Sequence, residues 1–164
     1  MEPLPFDHLP FIDRVKIQSE ILLPLYRRLR EELGTERANE LVRASVREYG
    51  LAFGRGVAAS EGATSIDKLG NAAPVFAAKD AIDMDIIAVS QDEFTFNITA
   101  CQYAEYFQAL GEPEFGAMLT CEVDPIMTEA ISSDLTLSRT QTRMANASHC
   151  DFSWKVAHTD GESA

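Results

Sequence analysis

The hydrophobic period of this chain changes near residue 80, and that change restricts its fold more than any other feature. Up to about residue 78 the apolar side chains recur every three or four residues; beyond Met84 they alternate. The first spacing lines one face of a helix, and the second lines one face of a strand. Helices first and strands later predict an α+β fold, with N-terminal helices packed on a small antiparallel sheet that finishes in a C-terminal β-hairpin.

In the helical part, Ile17, Ile21, Leu22, Leu25, Leu29 and Leu33 mark a helix from Asp13 to Leu33, stopped by Gly34 and kinked or broken at Pro24. Thr35 is placed to cap a second helix reaching Ala58. Its buried stripe would be Ala38, Leu41, Val42, Ser45, Tyr49, Ala52 and Phe53, with Gly54 and Gly56 weakening the last turns. A third helix begins at Ser65 and is interrupted by Pro74. The alternating part predicts a strand from Met84 to Ser90, a turn at Gln91-Asp92-Glu93, and a strand from Phe94 to Cys101. Phe94, Phe96, Ile98 and Ala100 would share one face of it, and Thr95, Asn97, Thr99 and Cys101 the other. A helix from Gln102 to Leu110, a short one from Pro113 to about Thr120, and one capped by Asp124 before Pro125 and running to Ile131 follow. The hairpin would pair Leu135–Met144 with His149–Val156 around a left-handed Asn146. Residues 1–158 read as a single domain and 159–164 as a loose tail.

Charge narrows the function classes. With 14 Lys and Arg against 26 Asp and Glu, the net charge of −12 argues against a nucleic-acid partner, whose phosphates need clustered cations. No run approaches the roughly 20 apolar residues that span a bilayer, and the N-terminus lacks the basic start and apolar run of a signal peptide. A cytoplasmic protein with reduced thiols is expected, because three cysteines cannot all pair within one chain. Self-association through the apolar N-terminal helices is a further expectation.

The candidate chemistry gathers around the cysteines. Cys101 stands where a polar strand face meets the first turn of a helix, whose positive end favours a thiolate. Cys121 lies three residues before Asp124 in a connection between helices. Strand alternation puts His149 and Asp151 on one face, able to pair as base and orienting carboxylate, and turns Cys150 to the other with Phe152 and Trp154. Arg139 on the preceding strand has the fork that binds a carboxylate, or a cross-strand ion pair to make. No C-x-x-C or H-x-x-x-H pair is present, so no metal is expected, and no phosphate loop or dinucleotide fingerprint calls for an organic cofactor.

Five segments, taken in order, carry a resemblance: Phe96-Asn97-Ile98-Thr99-Ala100-Cys101-Gln102-Tyr103-Ala104-Glu105-Tyr106-Phe107, Leu110-Gly111-Glu112-Pro113-Glu114, Cys121-Glu122-Val123-Asp124, Arg139-Thr140-Gln141-Thr142 and Cys150-Asp151-Phe152. From about Glu93 to Trp154 the chain resembles the L-2-amino-thiazoline-4-carboxylic acid hydrolase family. The resemblance implies opening of a small heterocycle by water, the named substrate being a cyclic isothiourea with a carboxylate that becomes N-carbamoyl-L-cysteine. It also places family positions on Cys101, Cys121, Asp124, Arg139, Cys150 and Asp151. The chain departs from the family at Ala100, where an arginine is frequent, and at His149, where a further cysteine is. Asn146 stands for the usual turn glycine. The implied mechanism has a cysteine nucleophile, Cys121 or Cys101 ahead of Cys150, attacking the ring carbon of a cyclic amidine, imide or isothiourea. His149, Asp124 and Asp151 would move or orient protons. Arg139, Asn97, Thr99 and Tyr103 are the expected substrate-binding residues. The alternative is a non-catalytic small-molecule-binding domain of the vinyl-reductase-like sensor type.

Overall fold

The computed structural model describes residues 9–157. The expected tail at 159–164 lies outside them. Two long helices, α1 (Phe11–Leu33) and α2 (Thr35–Ala58), lead into α3 (Ser65–Ala77), then β1 (Ile82–Val89) and β2 (Glu93–Cys101). After α4 (Gln102–Ala109) and α5 (Pro113–Gly116), a π-helical turn (Ala117–Cys121) joins α6 (Val123–Ile131). The chain closes with β3 (Leu135–Ser138) and β4 (Cys150–Val156). The strands form one antiparallel sheet in the order β1-β2-β4-β3, confirming the α+β expectation. Among the described residues no helix is long and apolar enough to cross a membrane.

Packing divides the interior into two clusters. One lies between the sheet and α2, α3 and α6, around Phe94, Phe96, Phe152 and Trp154; the other gathers Phe11, Ile12, Tyr26, Phe107, Phe115 and Met118 from α1, α4, α5 and the π-helical turn. Cys101, Phe76, Ile82 and Leu119 touch both, so they mark the seam where the site forms.

Several helix expectations are corrected. α1 runs through Pro24 and α3 through Pro74 without breaking. Thr35 does not cap α2: Gly34, at φ 83°, separates the helices, and Thr35 is already the first residue of the second. The buried face of α2 is Ala38, Asn39, Val46, Gly50, Gly54 and Val57; of the expected stripe Ala38 is buried, Leu41, Val42 and Phe53 are half-buried, and Ser45, Tyr49 and Ala52 are exposed. Glycine causes this rotation. A Cβ on Gly50 would meet Ile126 Cγ2 at 2.8 Å, and one on Gly54 would meet the Met127 carbonyl oxygen at 2.5 Å, so only glycine admits α6 this closely. On α1 the row Ile17, Ile21, Leu22, Leu25 and Leu33 stays exposed, while Ile12, Val15, Leu23 and Tyr26 turn inward.

The strands hold two further surprises. In β2, Ile98 pairs with Met84 and Ala100 with Asp83, so Thr99 is an extra, bulged residue. A bulge inverts the alternation beyond it. Cys101 therefore faces the core with Phe96 and Ile98, not the polar side with Thr95 and Asn97. The C-terminal hairpin is also shorter than expected: β3 ends at Ser138, the chain leaves the sheet, and Arg143–Ala145 forms a 3-10 turn closed by Asn146 at φ 64°. The left-handed asparagine is as expected.

Candidate active site

Cys101, Cys121 and Cys150 come from three separated segments and line one cavity of about 110 Å³ at the seam. Each arrives by a different device. The bulge at Thr99 turns Cys101 inward at the start of α4. The π-helical turn, closed by Glu122 N–H donating to Ala117 O at 2.9 Å, aims Cys121 into the same space. Cys150 comes from the aromatic face of β4, as its alternation with Phe152 and Trp154 predicts. All three thiols are free.

The polar end of the cavity is an ion pair. Arg139 donates through Nη1 to Asp124 Oδ2 at 2.5 Å and through Nη2 to the Cys121 carbonyl at 2.9 Å, while its guanidinium lies 5.0 Å from the centroid of Phe152. Asp124 is not the cap it was expected to be: α6 already begins at Val123, and the carboxylate turns to Arg139. Of the two readings of Arg139, the structure shows the ion pair, although with Asp124 across helix and loop.

Burial controls the electrostatics. It raises the Asp124 carboxyl to about 6, with Arg139 pulling it down. Burial pushes the Cys121 thiol up to about 12, and Asp124 adds to the rise. Cys101 is also raised by burial, against the opposing amides of Ala104 and Tyr103 at the start of α4. Cys150 follows the same direction for the same reason, opposed by the Arg143 N–H that donates to its sulfur at 3.1 Å. None of these thiols is a standing thiolate near neutral pH. The helix end does act on Cys101, but desolvation outweighs it.

Tyr103 lines the cavity and donates its hydroxyl hydrogen to Phe76 O at 3.1 Å. The remaining candidates lie elsewhere. Asn97 pairs with Asp151 across the outer face of the sheet, and Thr99 is exposed at the bulge. His149 and Asp151 do not pair. The imidazole meets Gln141 Nε2 at about 3 Å and Ser148 Oγ at 2.9 Å, whereas Asp151 accepts from Thr140 N and Oγ1 and from Gln141 N. Burial alone would raise the Asp151 carboxyl, but these hydrogen bonds outweigh it and leave the group below its usual range. Its place is to hold the strap between β3 and β4. Sequence reasoning also missed the opposite wall, where Phe11, Phe76 and Met127 close the cavity from helices that read only as packing. Among the described residues no three His, Cys, Asp or Glu side chains are grouped to hold a metal.

Comparison with known proteins places the chain in a family. The sequence model for L-2-amino-thiazoline-4-carboxylic acid hydrolase matches residues 14–154, from α1 to β4. The chain belongs to that family. The match extends the resemblance of the C-terminal half back over the N-terminal helices, and it covers every residue that lines the thiol cavity except Phe11. No curated protein matches this hydrolase-family chain in sequence. Among solved structures it is similar to the phenol-responsive sensory domain of the transcription activator PoxR, determined with phenol. The identity is 14%, the TM-score 0.51, and the likeness covers 82% of this chain and 72% of that one. At that identity the likeness speaks to the fold.

Proposed function

We propose that the protein is a hydrolase that opens a small monocyclic nitrogen heterocycle held in the thiol cavity, with Cys121 as nucleophile and Asp124 as its proton acceptor. The observation that carries this reading is the convergence of three thiols and the half-buried Asp124–Arg139 pair on one small cavity. A perturbed carboxyl beside a thiol in a cavity suits general acid–base work, because its pKa lies near the working pH.

The Cys121 sulfur bonds to the electrophilic ring carbon as its proton passes to Asp124. The ring C–N or C–S bond then breaks, and the departing heteroatom takes that proton. Water attacks the same carbon and gives a proton to Asp124; the bond from that carbon to the Cys121 sulfur breaks, and the sulfur takes the proton back from Asp124. Moving a proton from a thiol near 12 to a carboxyl near 6 costs about 8 kcal/mol. That is about half the ~16 kcal/mol barrier of an enzyme turning over at about 10 per second. Proton transfer must therefore accompany attack on carbon, which favours activated ring carbons such as those of amidines and isothioureas over plain lactams.

A second reading has its own support. Apart from the Asp124–Arg139 end, the three thiols and Thr120, the walls are aromatic and aliphatic, which suits a bound ring that is not transformed. A cavity of this size is of the order that accepts a benzene-sized guest, and the sensory domain of similar fold was determined with phenol. Incubating the protein with cyclic amidines, imides, isothioureas and lactams, with mass detection of product, separates the two. Ring-opened product lost in Cys121→Ala and Asp124→Asn supports the hydrolase. Recovery of every ring unchanged overturns it and leaves the binder, while full activity in all three cysteine-to-alanine variants refutes covalent catalysis.

A further inference from the structure

A second hollow lies apart from the thiols. It is a groove of about 590 Å³ between α1 and α2, several times the volume of the thiol cavity. Leu22 and Leu29 line it from α1, Val42 and Tyr49 from α2, and the buried Tyr26 and Phe115 form its floor. Packed interiors keep few voids larger than one water, so these two helices do not fill the space between them.

Beside the groove, α1 carries a ridge. Ile17, Ile21 and Leu25 recur every four residues and are 54%, 75% and 53% exposed. Ile21 and Leu25 also line the groove, so ridge and groove share an edge. Between Ile17 and Tyr26 the only charged residue is Glu20. Depletion of charge at the centre of an apolar patch is the compositional mark of an interface.

A ridge next to a groove is self-complementary: one two-fold operation sets the ridge of each copy into the groove of the other. A helix of some other protein would fill the groove and leave the ridge bare. Area agrees. Ile17, Ile21, Leu22, Leu25 and Tyr49 expose on the order of 500 Å², and the half-buried Leu29, Leu41 and Val42 with the charged rim extend this toward the ~800 Å² per partner of a stable interface. Charge agrees too. α1 and α2 hold nine of the 14 Lys and Arg and seven of the 26 Asp and Glu, a balance of +2, whereas the other five cations and 19 carboxylates leave the rest of the chain at −14. Two copies therefore meet at this face with the least repulsion. Its interleaved signs do not make the cation cluster that holds an anionic membrane.

We propose that α1 and α2 form the interface of a homodimer in which the ridge of Ile17, Ile21 and Leu25 on each copy occupies the α1–α2 groove of the other. The inference goes beyond the ring chemistry and holds for either fate of the ring. The interface adjoins the thiol cavity, because Phe11 and Leu119 line both hollows.

Light scattering after size exclusion tests it on the full chain, at about 50 μM and so above the micromolar upper end of affinities for interfaces of this size. The wild type should show twice the 18.1 kDa chain mass, with a melting midpoint that rises with protein concentration. Ile21→Glu on the ridge and Tyr49→Glu on the groove wall should each weaken association at least about 30-fold and give the single-chain mass. Ile87→Glu, at an equally exposed position on the edge strand β1, should leave the dimer intact. All three positions are exposed, and far-UV circular dichroism verifies that the variants fold. A wild type of single-chain mass overturns the dimer; if Ile21→Glu then lowers its melting midpoint, residues 1–8 of the same chain become the occupant to test. A dimer that survives Ile21→Glu, or that Ile87→Glu dissociates, overturns this interface, and one broken by Ile21→Glu but not by Tyr49→Glu overturns the seating of ridge in groove. Amide exchange of the wild type needs no variant: dilution to about 1 μM should speed exchange in α1 and α2, and faster exchange confined to β1 would overturn the proposal.

Discussion

Raising the pH from about 4 to 7 should weaken this fold through Asp124, the reverse of the usual effect of a carboxylate held by an arginine. The perturbation is Asp124→Asn, compared with wild type at each pH. Burial raises the Asp124 pKa from 3.8 in the unfolded chain to about 6 in the folded one. Between those values the native state binds more protons than the unfolded state, so unfolding free energy falls as pH rises. The full window is worth about 3 kcal/mol, and on the order of 1 kcal/mol of it falls between pH 5 and 7. Asparagine cannot titrate. The stability of the wild type minus that of the variant should therefore decline by about 1 kcal/mol over that interval, whatever the other carboxylates contribute. Urea unfolding of both proteins at half-unit pH steps, followed by Trp154 fluorescence, measures the difference directly. The constant offset between the curves reports the loss of the Arg139 pair, which is only 13% exposed and would be left with the Cys121 carbonyl and an amide. A difference that rises with pH would show that Arg139 dominates burial and would refute the reasoning, as would a flat one.

Four other perturbations probe the thiol, the α2–α6 contact and the buried Trp154 hydrogen bond. At pH 7.5, Cys121 should react with iodoacetamide about a thousandfold more slowly than a cysteine of ordinary pKa 9.0, because its thiolate is rarer by that factor at a pKa of about 12; peptide mass mapping of a time course checks it. Gly54→Ala puts a Cβ at 2.5 Å from the Met127 carbonyl oxygen and should cost about 1–3 kcal/mol by pushing α6 off α2. Gly56→Ala meets nothing within 4 Å and should be neutral or stabilising by up to about 1 kcal/mol, both read from thermal melts. Thr128→Val removes the acceptor of Trp154 Nε1–H, 2.8 Å away and buried, and should cost about 1–3 kcal/mol with a shift in tryptophan emission.

What was legible in the sequence follows from local periodicity. The switch in period located most of the helices and strands, because helix and strand expose different faces at fixed spacings and each face must be buried. The same rule assigned Cys150 to the aromatic side of β4 and the left-handed turn to Asn146. It failed wherever burial depends on a partner. The inward face of α2 was set by how closely α6 could approach Gly50 and Gly54, a property of two helices together. The α1 row from Ile17 to Leu33 shows the same limit, since apolar spacing says which residues share a face and not which face meets the core.

The sequence by itself determined that the chain is an α+β protein with three unpaired thiols, a strong negative charge and a family signature across its C-terminal half. Only the tertiary structure decided which of those thiols and charges belong together. One bulged residue, Thr99, inverts the strand beyond it and brings Cys101 into the cavity; one π-helical turn does the same for Cys121. His149 and Asp151, adjacent on paper, are held apart by Gln141, Ser148 and Thr140. For Cys101 the physical reason is register: one extra residue reverses the side chain beyond it, and register is set by long-range pairing, which local spacing does not encode. For Cys121, His149 and Asp151 it is the backbone turn and the hydrogen-bond partners around each, which a period does not name either.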